Sequence, residues 1–273
     1  MKMQHACSAL VLTVVSLNAH AGFFSSSDDF KCGREDVLQA VQKSIKESAS
    51  EILQSKYISS GRTSFYNKPV EEYQKEIDGL QISFSNTSTS DQKSSSFVNC
   101  TSTISVKVPE ASLNLSQELP QQFSLLKVGG ASLLNGALVW KNYSYQIKLA
   151  DNKKDIIVGD MNRMPEAVYN TAWLSVNHDN ILSDDLKNKL NNMRYSYADS
   201  DRELNDIWKS LPVSLRTSMK ASQQEWVKLK AQKCGNLSEA QSEQGDLKAK
   251  IATYSCQIGM TEERINFLGG DRG

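Results

Sequence analysis

Near Pro165 the hydrophobic period of this chain changes from two residues to about 3.6, and it does not change back. A period of two fits a half-buried strand, and 3.6 fits a helix with one apolar face. The change therefore divides the fold before any contact is considered. Ahead of it, Leu80, Ile82 and Phe84 alternate with polar residues. After a Ser/Thr-rich turn, Val98, Cys100, Ile104, Val106 and Val108 share one strand face, and Pro109 ends the strand because it has no N–H for a ladder. Leu138 and Trp140 open another strand, which Tyr143, Tyr145, Ile147 and Leu149 continue with opposite parity. One extra residue near Lys141–Asn142, a β-bulge, accounts for the shift. Asp151 to Lys154 read as a hairpin turn into Ile156, Ile157 and Val158. Before the strands, Leu38, Val41, Ile45 and Ile52 fall on one helical face. The expected fold class is α+β, an N-terminal helix packed on an antiparallel sheet followed by a C-terminal all-α disulfide-stapled helical domain.

Beyond Pro165, the spacing predicts helices over Glu166–Val176 and Asp184–Met193, the second capped by Ser183, with a candidate hinge at Asn177–Asn180. Leu204, Ile207, Trp208 and Leu211 make the next apolar stripe, and Pro212 and Ser214 separate it from the following helix. There Leu215, Met219, Trp226 and Leu229 are expected to face inward. A third helix is lined by Leu247, Ile251, Tyr254 and Ile258, with Gly259 as a left-handed cap and Thr261 starting a last short helix. The organisation this implies is a signal peptide over 1–21, an α+β domain over 22–160, a helical linker over 161–194 and a helical domain over 195–273.

Lys2, the short apolar run Ala9–Leu17 and the small-x-small site Ala19-His20-Ala21 have the composition of a secretory signal peptide. Export to the periplasm or beyond is the expectation, without a lipid anchor, since Cys7 precedes the apolar run. Cleavage leaves Cys32, Cys100, Cys234 and Cys256, an even number that suits two disulfides in an oxidising compartment. Three pairings are formally open. Cys32–Cys100 with Cys234–Cys256 is favoured because each pair then lies inside one domain. No CxxC spacing supports a metal, and no cofactor motif is present. Lys and Arg together equal Asp and Glu at 31 each, so nothing steers the chain to nucleic acid or an anionic membrane, and no later stretch is long enough to span a bilayer.

Asp201-x-x-Leu204-Asn205, then Trp208, Gln223-x-x-Trp226, Cys234, Cys256, Thr261-x-x-Arg264 and Leu268 occur in that order. This combination resembles the LprI-like family of secreted bacterial domains, named for a lysozyme-inhibiting lipoprotein, over about residues 195 to 268. The resemblance implies a protein-binding partner in the envelope, a lysozyme-type muramidase, and no catalytic activity. The alternative is an envelope structural or adaptor module, or a ligand-binding one, without inhibition. The motif residues Leu204, Asn205, Trp208, Gln223, Trp226, Thr261, Arg264 and Leu268 read as structural. The loop Gly235–Gly245, bracketed by the cysteines, is the candidate binding loop through Ser238, Gln241, Ser242 and Gln244. The chain departs from the family where an upstream cysteine pair is often found, since Asp179–Arg202 has none.

Catalytic constellations are thin. After cleavage only His178 remains as a histidine base, in a polar stretch. Ser90-x-x-Lys93 and Ser124-x-x-Lys127 match SxxK without the companion motifs. The acidic pairs Asp28-Asp29, Glu71-Glu72 and Asp184-Asp185 are sequence neighbours and read as solvated or helix-start charges.

Overall fold

A computed structural model of the chain describes residues 30–60, 68–90, 97–159 and 161–269. The signal sequence expected over 1–21 lies outside these residues. Two helices come first, α1 (Glu35–Ser60) and α2 (Val70–Gly79). The strands β1 (Ile82–Thr89) and β2 (Val98–Lys107) follow, then α3 (Glu110–Glu118) and the single turn α4 (Pro120–Phe123). The short strand β3 (Ser132–Leu134), the long β4 (Ala137–Leu149) and β5 (Ile156–Gly159) complete an antiparallel sheet of order β1-β2-β4-β3, with β5 also on β4.

Every fourth residue of α1, from Val37 through Val41, Ile45 and Ala49 to Leu53, is buried. A spacing of four drifts slowly round the helix, so one stripe stays under cover for more than four turns. Leu38 and Ile52, expected on this face, lie at its margins and are half-buried. The stripe meets the inward side chains of β2 and β4, among them Ile104, Val106, Leu138, Trp140, Tyr145 and Ile147, in one continuous core. Cys32, just before α1, joins Cys100 on the inward face of β2 with their Cα atoms 5.6 Å apart, so helix and sheet are stapled as expected.

The parity change in β4 is the bulge anticipated from sequence. Ser102 pairs with Tyr143 and Ile104 with Trp140, so Lys141 and Asn142 together oppose Thr103. Asn142 takes φ +53°, a left-handed conformation that asparagine tolerates. A second bulge, at Asn86 and Thr87 of β1, faces Ser102. Where the two bulges flank β2, hydroxyls satisfy one another, the half-buried Thr87 with the buried Ser102 at 2.9 Å and Ser102 with Tyr145 at 3.0 Å.

The helix α5 (Met164–Val176) is buried on most of its surface, with Met164, Ala167, Val168, Tyr169, Ala172 and Leu174 all in the first core. The segment expected to hinge is a packed joint. Asn177 is buried, accepts from the Tyr73 hydroxyl at 3.0 Å and donates to the Trp173 carbonyl at 2.9 Å.

From this joint α6 (His178–Ser210) runs unbroken for 33 residues, about 50 Å at 1.5 Å per residue. Ser183 therefore lies inside a helix and does not cap one. Ile181 and Leu182 dock on the first core and Leu190 on a second, so the buried face continues through the serine. Then come α7 (Val213–Cys234), the short α8 (Leu237–Gln241) and α9 (Leu247–Phe267). The second core consists of Leu190, Ala240 and Tyr254, with Met193, Tyr197, Leu237, Leu247 and Ile251 partly buried against it. Gly259 and Thr261, read as a cap and a new start, sit within continuous α9. A glycine costs a helix about 1 kcal/mol. Packing of α9 against both α6 and α7 outweighs that.

Candidate binding surface

The inward line of α7 mixes Arg216, Gln223 and Lys230 with Met219, Trp226 and Cys234. Leu215 and Leu229, expected to face the core, are 42% and 53% exposed. Each precedes by one position the residue that is turned in, Arg216 and Lys230, a rotation of about 100°. Lys230 is only 6% exposed. Its ammonium lies 5.0 Å from the centre of the Trp226 ring and 5.2 Å from that of Tyr197 on α6, and it donates to Thr261 Oγ1 on α9 at 3.2 Å. Three helices thus converge on one cation held by two aromatic faces and a hydroxyl. Burial lowers the pKa of Lys230, opposed by the charge of Asp201. Burial first, and Asp201 second, push the Tyr197 hydroxyl up to about 12. Tyr197 reaches Asp201 at 3.5 Å, and Tyr197 and Tyr254 pack edge to face at 5.8 Å.

One turn away, Arg264 continues the stack. Its Nε donates to Gln223 Oε1 at 2.7 Å, and its guanidinium sits 5.7 Å from the Trp226 ring and 4.6 Å from that of Phe267. Burial lowers its pKa. Nη2 of Arg264 and Nε of Arg216 are buried and find no hydrogen-bond partner among the described residues.

Most motif residues read from the sequence therefore meet here. Gln223, Trp226, Thr261 and Arg264 form the stack, and Asn205 donates to the carbonyl of Asp201 at 2.8 Å and to its carboxylate at 3.1 Å. Leu204, on α6, is buried. Leu268 closes α9, its N–H donating to the Arg264 and Ile265 carbonyls at 3.1 Å. Trp208 is half-buried, as is Trp226, so neither indole is a fully covered core residue. Sequence reasoning missed Tyr197 and Lys230 as members. The available signal was the four-residue spacing Trp226, Lys230, Cys234, which puts the lysine on the line of the disulfide.

Cys234 and Cys256 are bonded, Cα atoms 5.4 Å apart, tying the end of α7 to α9 as expected. The loop they bracket is pinned from below. Gly235 takes φ +88° and its carbonyl accepts from Gln257 Nε2 at 2.9 Å. Ala240 plugs the second core, Lys250 donates to the Ser242 carbonyl at 2.5 Å, and Arg194 to the Ala240 carbonyl at 3.5 Å. Both cations are thus bound to the loop's backbone. Ser238, Gln241, Ser242 and Gln244 are exposed and uncharged, the Ser242 hydroxyl donates to the Gln244 carbonyl at 2.7 Å, and the exposed carboxylates of Glu239 and Glu243 stand among them.

Residues 187–268 match the family model described as lysozyme inhibitor LprI. The match begins slightly before the resemblance read from sequence and ends at the same residue, Leu268. No curated protein and no solved structure matches the chain. The LprI family is an inhibitor family and not an enzyme family. The matched segment contains all of α7, α8 and α9, and the part of α6 that packs on them.

Elsewhere, His178 pairs with Asp179 at 2.8 Å, and Ser124 of one SxxK match donates to the Gln121 carbonyl at 2.7 Å. Lys93 of the other match lies outside the described residues. Among the described residues no cluster of metal-ligating side chains occurs, and no helix is long and apolar enough to cross a membrane.

Proposed function

We propose that this chain is an exported bacterial envelope protein that binds, and inhibits, a lysozyme-type muramidase. The observation that carries this reading is the match of residues 187–268 to an inhibitor family. Two disulfides suit an oxidising compartment, and residues 1–21 act as the cleaved signal peptide. The chain divides into a sheet-bearing unit and an LprI unit, with α6 reaching from one to the other. A muramidase cleaves glycan between two carboxylic side chains across a cleft. An inhibitor must present a rigid surface that fills this cleft. The pinned loop with Ser238, Gln241, Ser242 and Gln244 supplies neutral hydrogen-bonding groups of that kind. The test is lysis of a cell-wall suspension by a panel of lysozyme types, with and without the oxidised protein. Saturable inhibition near one-to-one is the expected result, and none across the panel ends the proposal.

A second reading, an envelope adaptor without inhibitory activity, draws on one observation. The matched residues leave the whole sheet and its covering helices outside the family's reach.

A further inference from the structure

The loop offers a partner no cation, because Lys250 and Arg194 bond its backbone from within. A cationic surface lies close by. Trp226 stands eight residues before Cys234, the base of the loop, about 12 Å along α7. One partner of ordinary interface size covers both places.

Charge on the two neighbouring helices is handled in opposite ways. On α6, Lys187, Lys189, Arg202 and Lys209 each pair with an aspartate three or four residues earlier. On α7 there are five cations, Arg216, Lys220, Lys228, Lys230 and Lys233, against the single anion Glu225. Of these, Lys220, Lys228 and Lys233 are exposed and have no ion pair among the described residues. Arg264 faces this helix from α9, bonded to a neutral amide and not to a carboxylate. Beside it Phe267 is 67% exposed and Trp226 half-exposed. Arginine, tryptophan and exposed aromatic rings are the side chains that carry most binding energy at protein interfaces. A guanidinium already partly desolvated, and lacking a carboxylate, loses little more water when a partner supplies one.

We propose that Arg264, with Trp226 and Phe267 around it, is the cationic anchor of this protein's interface and takes a carboxylate from an acidic protein cleft. This rests on the inhibitor reading, in which the muramidase's own catalytic carboxylates supply that chemistry. Ser238, Gln241, Ser242 and Gln244 of the loop then provide neutral contacts, the exposed Glu239 and Glu243 beside them lie at the rim in solvent, and the α7–α9 seam provides the cationic contact.

The experiment uses the full oxidised protein and a muramidase that it inhibits. Arg264→Met and Phe267→Ala are each compared with wild type for affinity at low and high salt, with circular dichroism to confirm folding. A loss of at least fivefold in both variants, with the salt dependence flattened in Arg264→Met, is expected. Should Arg264→Met not fold, Phe267→Ala decides, since so exposed a ring contributes little to the fold. A loss below fivefold in a folded variant overturns the anchor while inhibition by wild type stands. Binding of wild type to anionic phosphatidylglycerol vesicles that Arg264→Met abolishes, with inhibition unchanged, assigns the seam to a bilayer and overturns it too. If wild type inhibits no muramidase, the functional reading itself fails, and the anchor's partner with it.

Discussion

The two halves of this molecule hold themselves together differently. In the sheet-bearing half, α1, α5 and the inward faces of β2 and β4 share one continuous apolar core. In the helical half the clustered core is small, Leu190, Ala240 and Tyr254, and Leu204, Met260 and Ile265 are buried outside it. The seam between α7 and α9 is filled by Lys230, Thr261, Gln223 and Arg264 and closed by a disulfide. A small core leaves little apolar burial to offset chain entropy, and the cross-link makes up part of the difference. The first half depends on volume, and the second on specific polar geometry.

Removing each cross-link in turn produces the largest contrast between the two halves. By loop-closure entropy, replacing Cys32 and Cys100 with alanine costs about 4 kcal/mol and replacing Cys234 and Cys256 about 3 kcal/mol. The smaller loss has the larger consequence. Urea unfolding followed by hydrogen exchange is expected to show α7 to α9 unprotected in the second variant, and the sheet still protected in the first. Loss of sheet protection in the second variant would erase the distinction.

Equal truncations come next. Leu53→Ala, in the wall of the first core, costs about 3 kcal/mol. Leu229→Ala on α7 costs less than about 0.5 kcal/mol, because the residue is 53% exposed and has little burial to lose. Thermal melts of the two variants measure the contrast.

Alkaline pH sharpens it further. Lys230 holds a proton less tightly when folded, so its penalty is present below its folded pKa and disappears as pH rises past the ordinary lysine value of 10.5. Tyr197 runs the other way. Its folded pKa, about 12, exceeds the ordinary 10.0, so its contribution is complete below pH 10 and is lost as pH rises through 12. Urea midpoints of the helical half are expected to hold or rise toward pH 10 and fall beyond it. Tyr197→Phe removes the fall, and an unchanged fall in that variant contradicts the assignment. The smallest effect belongs to the surface of α6, where Lys187→Ala, breaking the pair with Asp184, changes stability by no more than about 0.5 kcal/mol.

Much of this was legible in the chain because it depends on local period and covalent reach. The α+β class, the strands β1, β2, β4 and β5, the bulge at Lys141–Asn142 and the helices around Pro212 follow from spacing, while the short β3 carries no such signal. So does the favoured disulfide pairing, once each pair is kept within one domain. The motif residues Gln223, Trp226, Thr261 and Arg264 were also visible, as parts of a resemblance that the family match at 187–268 supports.

Tertiary structure decided the rest. Periodicity says that a helix has an apolar line but not whether a neighbour covers it. On α7 the neighbour covers the line one residue later, so Leu215 and Leu229 are exposed and Lys230 is buried. Local signals likewise suggested ends at Ser183 and Gly259, where packing on both sides carried α6 and α9 straight through. A cap or a glycine is worth about 1 kcal/mol, less than the side-chain burial that an unbroken helix secures. Local sequence determines what each segment can be on its own. Which face is covered, and which charge is held between rings, depends on helices far apart in the chain, and only their meeting settles it.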